Sequence, residues 1–180
     1  MIVVIGGVSG TGKTTVGTLL ASRLNWEFAD GDAFHPAANI AKMRSGQALT
    51  DADRQPWLAA IGRWMDQRIA AGQPAVLACS LLKRGYRGLL LDSRPAARLV
   101  FLTASRELLH ARLAARHGHF FSARLLGSQL ADLELPAPAE DALVLSAAGP
   151  PARIVAEIIS GLRLTATAAP GPPRARDNDR

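Results

Sequence analysis

A short apolar run, Met1-Ile2-Val3-Val4-Ile5, passes directly into Gly7-Val8-Ser9-Gly10-Thr11-Gly12-Lys13-Thr14, which matches G-x-x-x-x-G-K-S/T at every fixed position. This order leaves few folds open. The β-branched run reads as a buried strand, and Lys13 to Leu24 reads as a helix. Glycines between them let the chain turn tightly, so that consecutive N–H groups and the helix dipole face one anionic chain. Gly7, Ser9, Gly10, Thr11, Gly12, Lys13, Thr14 and Thr15 are therefore candidate nucleotide-binding residues. Lys13 would bring a point charge to the β/γ end of a triphosphate, and the Thr14 hydroxyl can ligate Mg²⁺. The motif specifies the phosphate donor and leaves the acceptor open.

Four further strand candidates follow, Glu27–Ala29, Ala75–Cys79, Arg98–Leu102 and Ala142–Leu145. Helical stretches separate them. The alternation predicts an α/β fold, a parallel five-stranded sheet with helices on both faces. Trp57, Leu58, Ile61, Trp64, Met65 and Ile69 form one apolar stripe over Trp57–Ala71, more suited to a core than to a ligand platform. Ser105–Arg116 and Ala152–Leu162 are two more amphipathic helices, the second preceded by Pro150-Pro151.

A chain of 180 residues suits one domain. We expect a kinase-sized domain over 1–164, with a mobile lid at about 116–128, and a disordered tail over 165–180, where Pro, Gly, Arg and Asp replace apolar periodicity. No apolar stretch is long enough to span a membrane. The strand begins at once, so no signal peptide is expected, and a lone cysteine, Cys79, allows no internal disulfide; a cytoplasmic location is the expectation. The net charge of +6 is concentrated. Eight arginines between Arg84 and Arg124 face only Asp92 and Glu107, a surplus equal to that of the whole chain. A nucleic-acid surface, arginines gathered around a polyphosphate and an anionic substrate, and a solvated helical face all fit this pattern; for Arg94, Arg98 and Arg106 the solvated face fits best.

Asp30-Gly31-Asp32 closes the second strand candidate, at the end of the sheet where ligands bind. Because Ser80 rather than an Asp follows the third strand, Asp30 is the remaining carboxylate for a metal shell, through water, and Asp32 is left to take the proton of an acceptor hydroxyl. A plain turn capped by one Asp is the alternative. His35 can cap the helix opened by Pro36 or touch substrate, and Lys42 and Met43 suit surface and core equally. Thr50 and Asp53 stand at capping-box spacing, with Pro56 suggesting that the regular helix begins near it. Arg54, a cation at a helix start, opposes the dipole unless it reaches an anion. Lys83 and Arg87 are four apart and are predicted to share one side of a helix. Arg116-His117-Gly118-His119-Phe120 reads as a glycine-hinged break suited to a lid.

Taken in order, these blocks resemble the gluconokinase family of P-loop sugar-acid kinases. The resemblance rests on 7–14, on Asp-Gly-Asp-Ala-Phe-His-Pro at 30–36, and on Asn-Ile-Ala-Lys-Met at 39–43. It continues through Leu-Thr-Asp-Ala-Asp-Arg-Gln-Pro-Trp-Leu at 49–58, Cys-Ser-Leu-Leu-Lys at 79–83 with Tyr86-Arg87, Arg-His-Gly-His-Phe at 116–120, and Ser-Gln-Leu at 128–130. Leu81 departs from the family pattern, which has a small residue there. The resemblance implies a nucleoside-monophosphate-kinase-like fold, transfer of phosphate from ATP with Mg²⁺ to O6 of D-gluconate, a role in feeding the pentose phosphate pathway, and a homodimer. It implies catalytic roles for Lys13, Asp32 and Arg116. Substrate contacts are implied for Asp32, His35, Arg54, Lys83, Arg87, His119 and Gln129, and adenine contacts for Arg112 and Pro151.

Two rivals make different demands. A shikimate kinase would be expected to carry a Gly-Gly-Gly segment where this chain has Ser80-Leu81-Leu82. A nucleic-acid-binding module would interleave its basic residues with aromatics, which this chain does not do. We therefore expect neither a nucleic-acid nor a membrane partner.

Overall fold

A computed structural model describes residues 1–115 and 123–167, apart from the side chains of 123–125. Five parallel strands lie in the order β2-β3-β1-β4-β5: β1 Ile2–Gly6, β2 Glu27–Asp30, β3 Ala75–Ala78, β4 Ala97–Thr103 and β5 Leu143–Ser146. The predicted strands are all present, displaced by at most a residue or two at their ends.

The continuous apolar character of β1 reflects burial on both sides. Ile2 and Val4 point into a core with Trp57, Ile61, Met65, Leu77 and Phe101, whereas Val3 and Ile5 point into another with Val16, Leu20, Ile154 and Ile158. The first core lies under α3 (Asp51–Ala70) and α4 (Arg84–Leu91), the second under α1 (Lys13–Leu24) and α7 (Pro151–Leu162). The remaining helices are α2 (Ala37–Arg44), α5 (Arg106–Ala114) and α6 (Ala123–Ala131). From β1 the chain first builds β2 and β3 on one side and then crosses to β4 and β5 on the other. The strand ends beside β1 thus form the crevice that parallel α/β sheets use for ligands.

Three expectations need correction. Helix α3 begins at Asp51, not near Pro56, which stands inside it. The capping box decides the start: Thr50 Oγ1 accepts from the Asp53 N–H at 3.2 Å, and Asp53 Oδ2 accepts from the Thr50 N–H at 2.9 Å. The packed body also extends past 164. Thr167 donates from its backbone N–H to the Leu24 carbonyl and from Oγ1 to the Asn25 carbonyl, at 3.0 and 2.9 Å. The rest of the predicted tail lies outside the described residues. Finally, Arg94 is no solvated residue; its guanidinium pairs with Asp66 through two hydrogen bonds of 2.7 and 2.8 Å.

Candidate active site

The loop after β1 is shaped by how closely it crosses β4. Gly7 has φ 129°, and a Cβ there would stand 2.5 Å from the Leu102 carbonyl oxygen, so only glycine fits. The Gly7 N–H donates to the Ser80 carbonyl at 3.1 Å, tying the loop to the end of β3. Lys13 Nζ donates to the Val8 carbonyl across the loop at 3.1 Å. Helix α1 starts at Lys13, and its N-cap, Gly12, supplies no side-chain cap. The amides of its first turn therefore face the cleft, as an anion site requires.

Beside this loop, one carboxylate of the Asp-Gly-Asp turn does two things. Asp30 Oδ1 accepts from the Asp32 N–H at 3.0 Å, capping the short 3₁₀ turn Gly31–Phe34, and Asp30 Oδ2 accepts from the Thr14 hydroxyl at 3.0 Å. Capping and proximity to the phosphate loop are thus compatible. Gly31 is obligatory because a Cβ would lie 2.8 Å from the Ala78 carbonyl oxygen and 3.1 Å from Cys79 Cβ. Asp32 and Lys13 line the same cleft together with Ser9, Gly10, Thr14 and Asp30. Both charges reach Cys79 behind them. Burial pushes its thiol pKa well up, the Asp32 carboxylate adds to the rise, and the Lys13 ammonium opposes it.

The cleft continues towards α3, where Ser9, Lys13 and Asp32 share it with His35, Arg54, Trp57, Ser80, Tyr86 and Gln129. His35 stacks on Trp57 with centroids 4.5 Å apart and planes 9° from parallel. Burial, with the nearby Arg54 charge adding to it, lowers the imidazole pKa to about 4, so the ring is neutral at physiological pH. Trp57 belongs to the core, as its stripe predicts, and also serves the site: its Nε1–H donates to the Gly31 carbonyl at 2.7 Å.

Arg54 is held by a network that the sequence did not reveal. Its guanidinium donates to Asp51 Oδ1 (3.2 Å), to the Tyr86 hydroxyl (2.9 Å) and to Asp132 Oδ2 (3.0 Å). Lys83 Nζ donates to Asp51 Oδ1 at 2.8 Å, and the Tyr86 hydroxyl donates to the same oxygen. The Lys83 and Tyr86 hydrogen bonds lower the Asp51 pKa to about 2. Asp51, Asp132 and Tyr86, with Lys83 bound to the same Asp51 oxygen, thus fix Arg54 in the part of the cleft towards α3. Lys42 has a similar structural role, pairing with Asp53 at 2.7 and 2.9 Å and so joining α2 to the start of α3.

Several predicted contacts fall elsewhere. Arg87 does not reach the cleft. Its side chain is 1% exposed; Nε and Nη2 donate to Glu140 at 2.5 and 2.9 Å, and Nη1 donates to the carbonyls of Leu81, Leu82 and Glu134. Lys83 is not on a helix face with it but is the N-cap residue of α4, and it approaches the site through Asp51, Asp132 and the ring of Tyr86. The Arg87 clamp holds the segment after β3, where Leu81 adopts a left-handed φ of 42° and lines the part of the cleft that holds His35 and Arg54. At the other end of the cleft Arg112 donates to the carbonyls of Gly10, Thr11 and Ala147, and with Thr15 and Pro151 it lines a recess suited to a base. Arg116 and His119 lie outside the described residues, as does most of the predicted lid. Gln129 reaches the cleft, but its Oε1 accepts from the Ser9 N–H at 2.7 Å.

Comparisons with known proteins bear on the family and the fold. A family model described as an AAA domain matches residues 2–136. A gluconokinase of Gluconobacter oxydans is 49% identical over 156 residues, covering 87% of this chain and 88% of that protein. Among solved structures, a sugar kinase from Janibacter sp. HTCC2649 superposes with a TM-score of 0.87 at 42% identity, over 93% of this chain and 98% of that one. A gluconokinase from Sinorhizobium meliloti 1021 gives 0.79 at 44% identity, over 89% and 90%.

Proposed function

The chain belongs to the gluconokinase family, and from that premise we propose that it transfers the γ-phosphoryl of ATP to O6 of D-gluconate, giving 6-phospho-D-gluconate. The observation that carries this reading is the single cleft shared by Lys13 and Asp32, with Arg54 further along it. ATP lies along the phosphate loop with its base towards Arg112 and Pro151. Lys13 neutralises charge at the β/γ end. Asp32 accepts the proton of the acceptor hydroxyl as its oxygen attacks phosphorus. Arg54 presents a guanidinium to the acceptor carboxylate, a pairing that favours two parallel hydrogen bonds. Neutral His35 contacts the acceptor's hydroxyls. Positioning and charge neutralisation supply most of the rate in such a transfer.

Mg²⁺ fits the residues present. Thr14 Oγ1 and Asp30 Oδ2 lie 3.0 Å apart, both are hard oxygen donors, and no group of three or more His, Cys, Asp or Glu side chains that could hold a metal exists among the described residues. One hydroxyl and one carboxylate acting through water, completed by phosphate oxygens, is the arrangement that suits this ion. When bound, it neutralises phosphate charge. No described helix is long and apolar enough to cross a membrane. We place the enzyme in the cytoplasm, where its ATP is supplied, and as a homodimer on the strength of the family resemblance.

A coupled ADP-release assay with gluconate, shikimate and nucleoside monophosphates tests the proposal. Turnover with gluconate alone is expected. Comparable turnover with shikimate would overturn the choice of acceptor.

A further inference from the structure

The phosphate loop carries one side-chain contact that the transfer reaction does not explain. The Ser9 N–H, one of the loop amides, donates to Oε1 of Gln129, 120 positions further along the chain. The place of Ser9 along the cleft is informative. Thr15 and Arg112 line the base end and the phosphate segment, whereas Ser9 lines the phosphate segment and the acceptor side together with Lys13 and Asp32. Among the loop amides, Ser9 therefore stands where the donor's terminal phosphoryl meets the acceptor. A phosphoryl oxygen and an amide oxygen are both acceptors, and a single N–H directed at one is withdrawn from the other.

Resting on the kinase reading above, we propose that Gln129 is a positioning residue that couples the two substrates: its amide oxygen holds the Ser9 N–H until the terminal phosphoryl of the donor takes that N–H, and the released amide then turns to a hydroxyl of the acceptor. Its mounting suits the exchange. Helix α6 is anchored by Leu126, which is 1% exposed, and by Leu130 against the core, so the backbone of Gln129 is fixed. The side chain itself is only partly buried and lies on the cleft. Rotation about its side-chain torsions carries the amide from Ser9 towards the acceptor side without moving the helix.

The competition for the Ser9 N–H is tested by nucleotide binding alone, so that this half stands even if the acceptor assignment fails, and the turn to the acceptor is tested by steady-state kinetics. Calorimetric Kd values are measured for the non-hydrolysable analogue AMP-PNP and for ADP, each with Mg²⁺, on wild type, Gln129→Ala and Gln129→Met. Methionine keeps the length and packing of the side chain and removes the competing oxygen. Both variants are expected to bind AMP-PNP about 3- to 10-fold more tightly and ADP, which lacks the terminal phosphoryl, as wild type does. In steady state the KM for gluconate should rise in both. Unchanged or weaker AMP-PNP binding overturns the competition, and an equal gain for ADP places the contact away from the terminal phosphoryl and overturns the proposal as well. An unchanged gluconate KM overturns the second half, the turn to the acceptor. A merely structural role for Gln129 would not separate the two nucleotides.

Discussion

The indole Nε1–H of Trp57 donates to the carbonyl oxygen of Gly31 at 2.7 Å. Helix α3, which carries Arg54, thereby holds the turn that carries both acids. Trp57→Phe removes the donor and leaves a buried carbonyl unpaired, which should cost about 1–3 kcal/mol of stability. The Asp32 carboxylate should also lose its fixed position, so kcat should fall while ATP affinity is kept. Urea denaturation and steady-state kinetics measure the two effects. An unchanged kcat in a destabilised protein would confine Trp57 to the core.

Arg54 is expected to bind the acceptor's charge. Hydrogen bonds to charged groups contribute about 1.5–3 kcal/mol, so Arg54→Gln should raise the gluconate KM by roughly ten- to a hundredfold. The KM for ATP should not change, because Arg54 is not among the residues lining the phosphate segment of the cleft. A rise in the ATP KM of the same size would contradict this division of the cleft.

Arg87 should behave differently. Its guanidinium is buried against Glu140 and three backbone carbonyls. Removing one partner of a buried ion pair costs about 3–5 kcal/mol, and Arg87→Ala should show a loss of that order in chemical denaturation. A variant as stable as wild type that loses only gluconate affinity would return Arg87 to the substrate.

The stacked His35 makes a prediction about pH. Its pKa is about 4 in the folded protein against an ordinary 6.5. Between these values the unfolded chain binds the proton more readily than the native state does. This contribution to stability is therefore fully present above about pH 6.5 and is lost as pH falls towards 4. His35→Gln should flatten the stability profile in that window, and the imidazole Hε1 resonance should titrate near pH 4. A midpoint near 6.5 would mean that the ring is neither buried nor close to Arg54.

The sheet and the phosphate loop were legible in the sequence because their signals are local. Strands buried on both faces read as unbroken apolar runs, and the loop has fixed spacing. The acids at 30 and 32 could be placed because a strand end in a parallel sheet has a known position. Most of what failed depended on distant partners. The spacing of Lys83 and Arg87 shows a possible shared helix face but cannot reveal that one residue caps the helix and the other points inwards, towards a glutamate 53 positions away. Nor does any local pattern bring Asp51, Tyr86 and Asp132 around Arg54. One failure was local: Pro56 suggests a later helix start, but the capping box at Thr50 and Asp53, a stronger start signal, lies just before it.

The most direct measurement is the turnover of Asp32→Asn with saturating ATP and gluconate, alongside its affinity for AMP-PNP. An amide of the same shape cannot take the hydroxyl proton, so kcat should fall about 100-fold or more while the nucleotide binds as before. Wild-type turnover in this variant would contradict the assignment of Asp32 as the base facing Lys13.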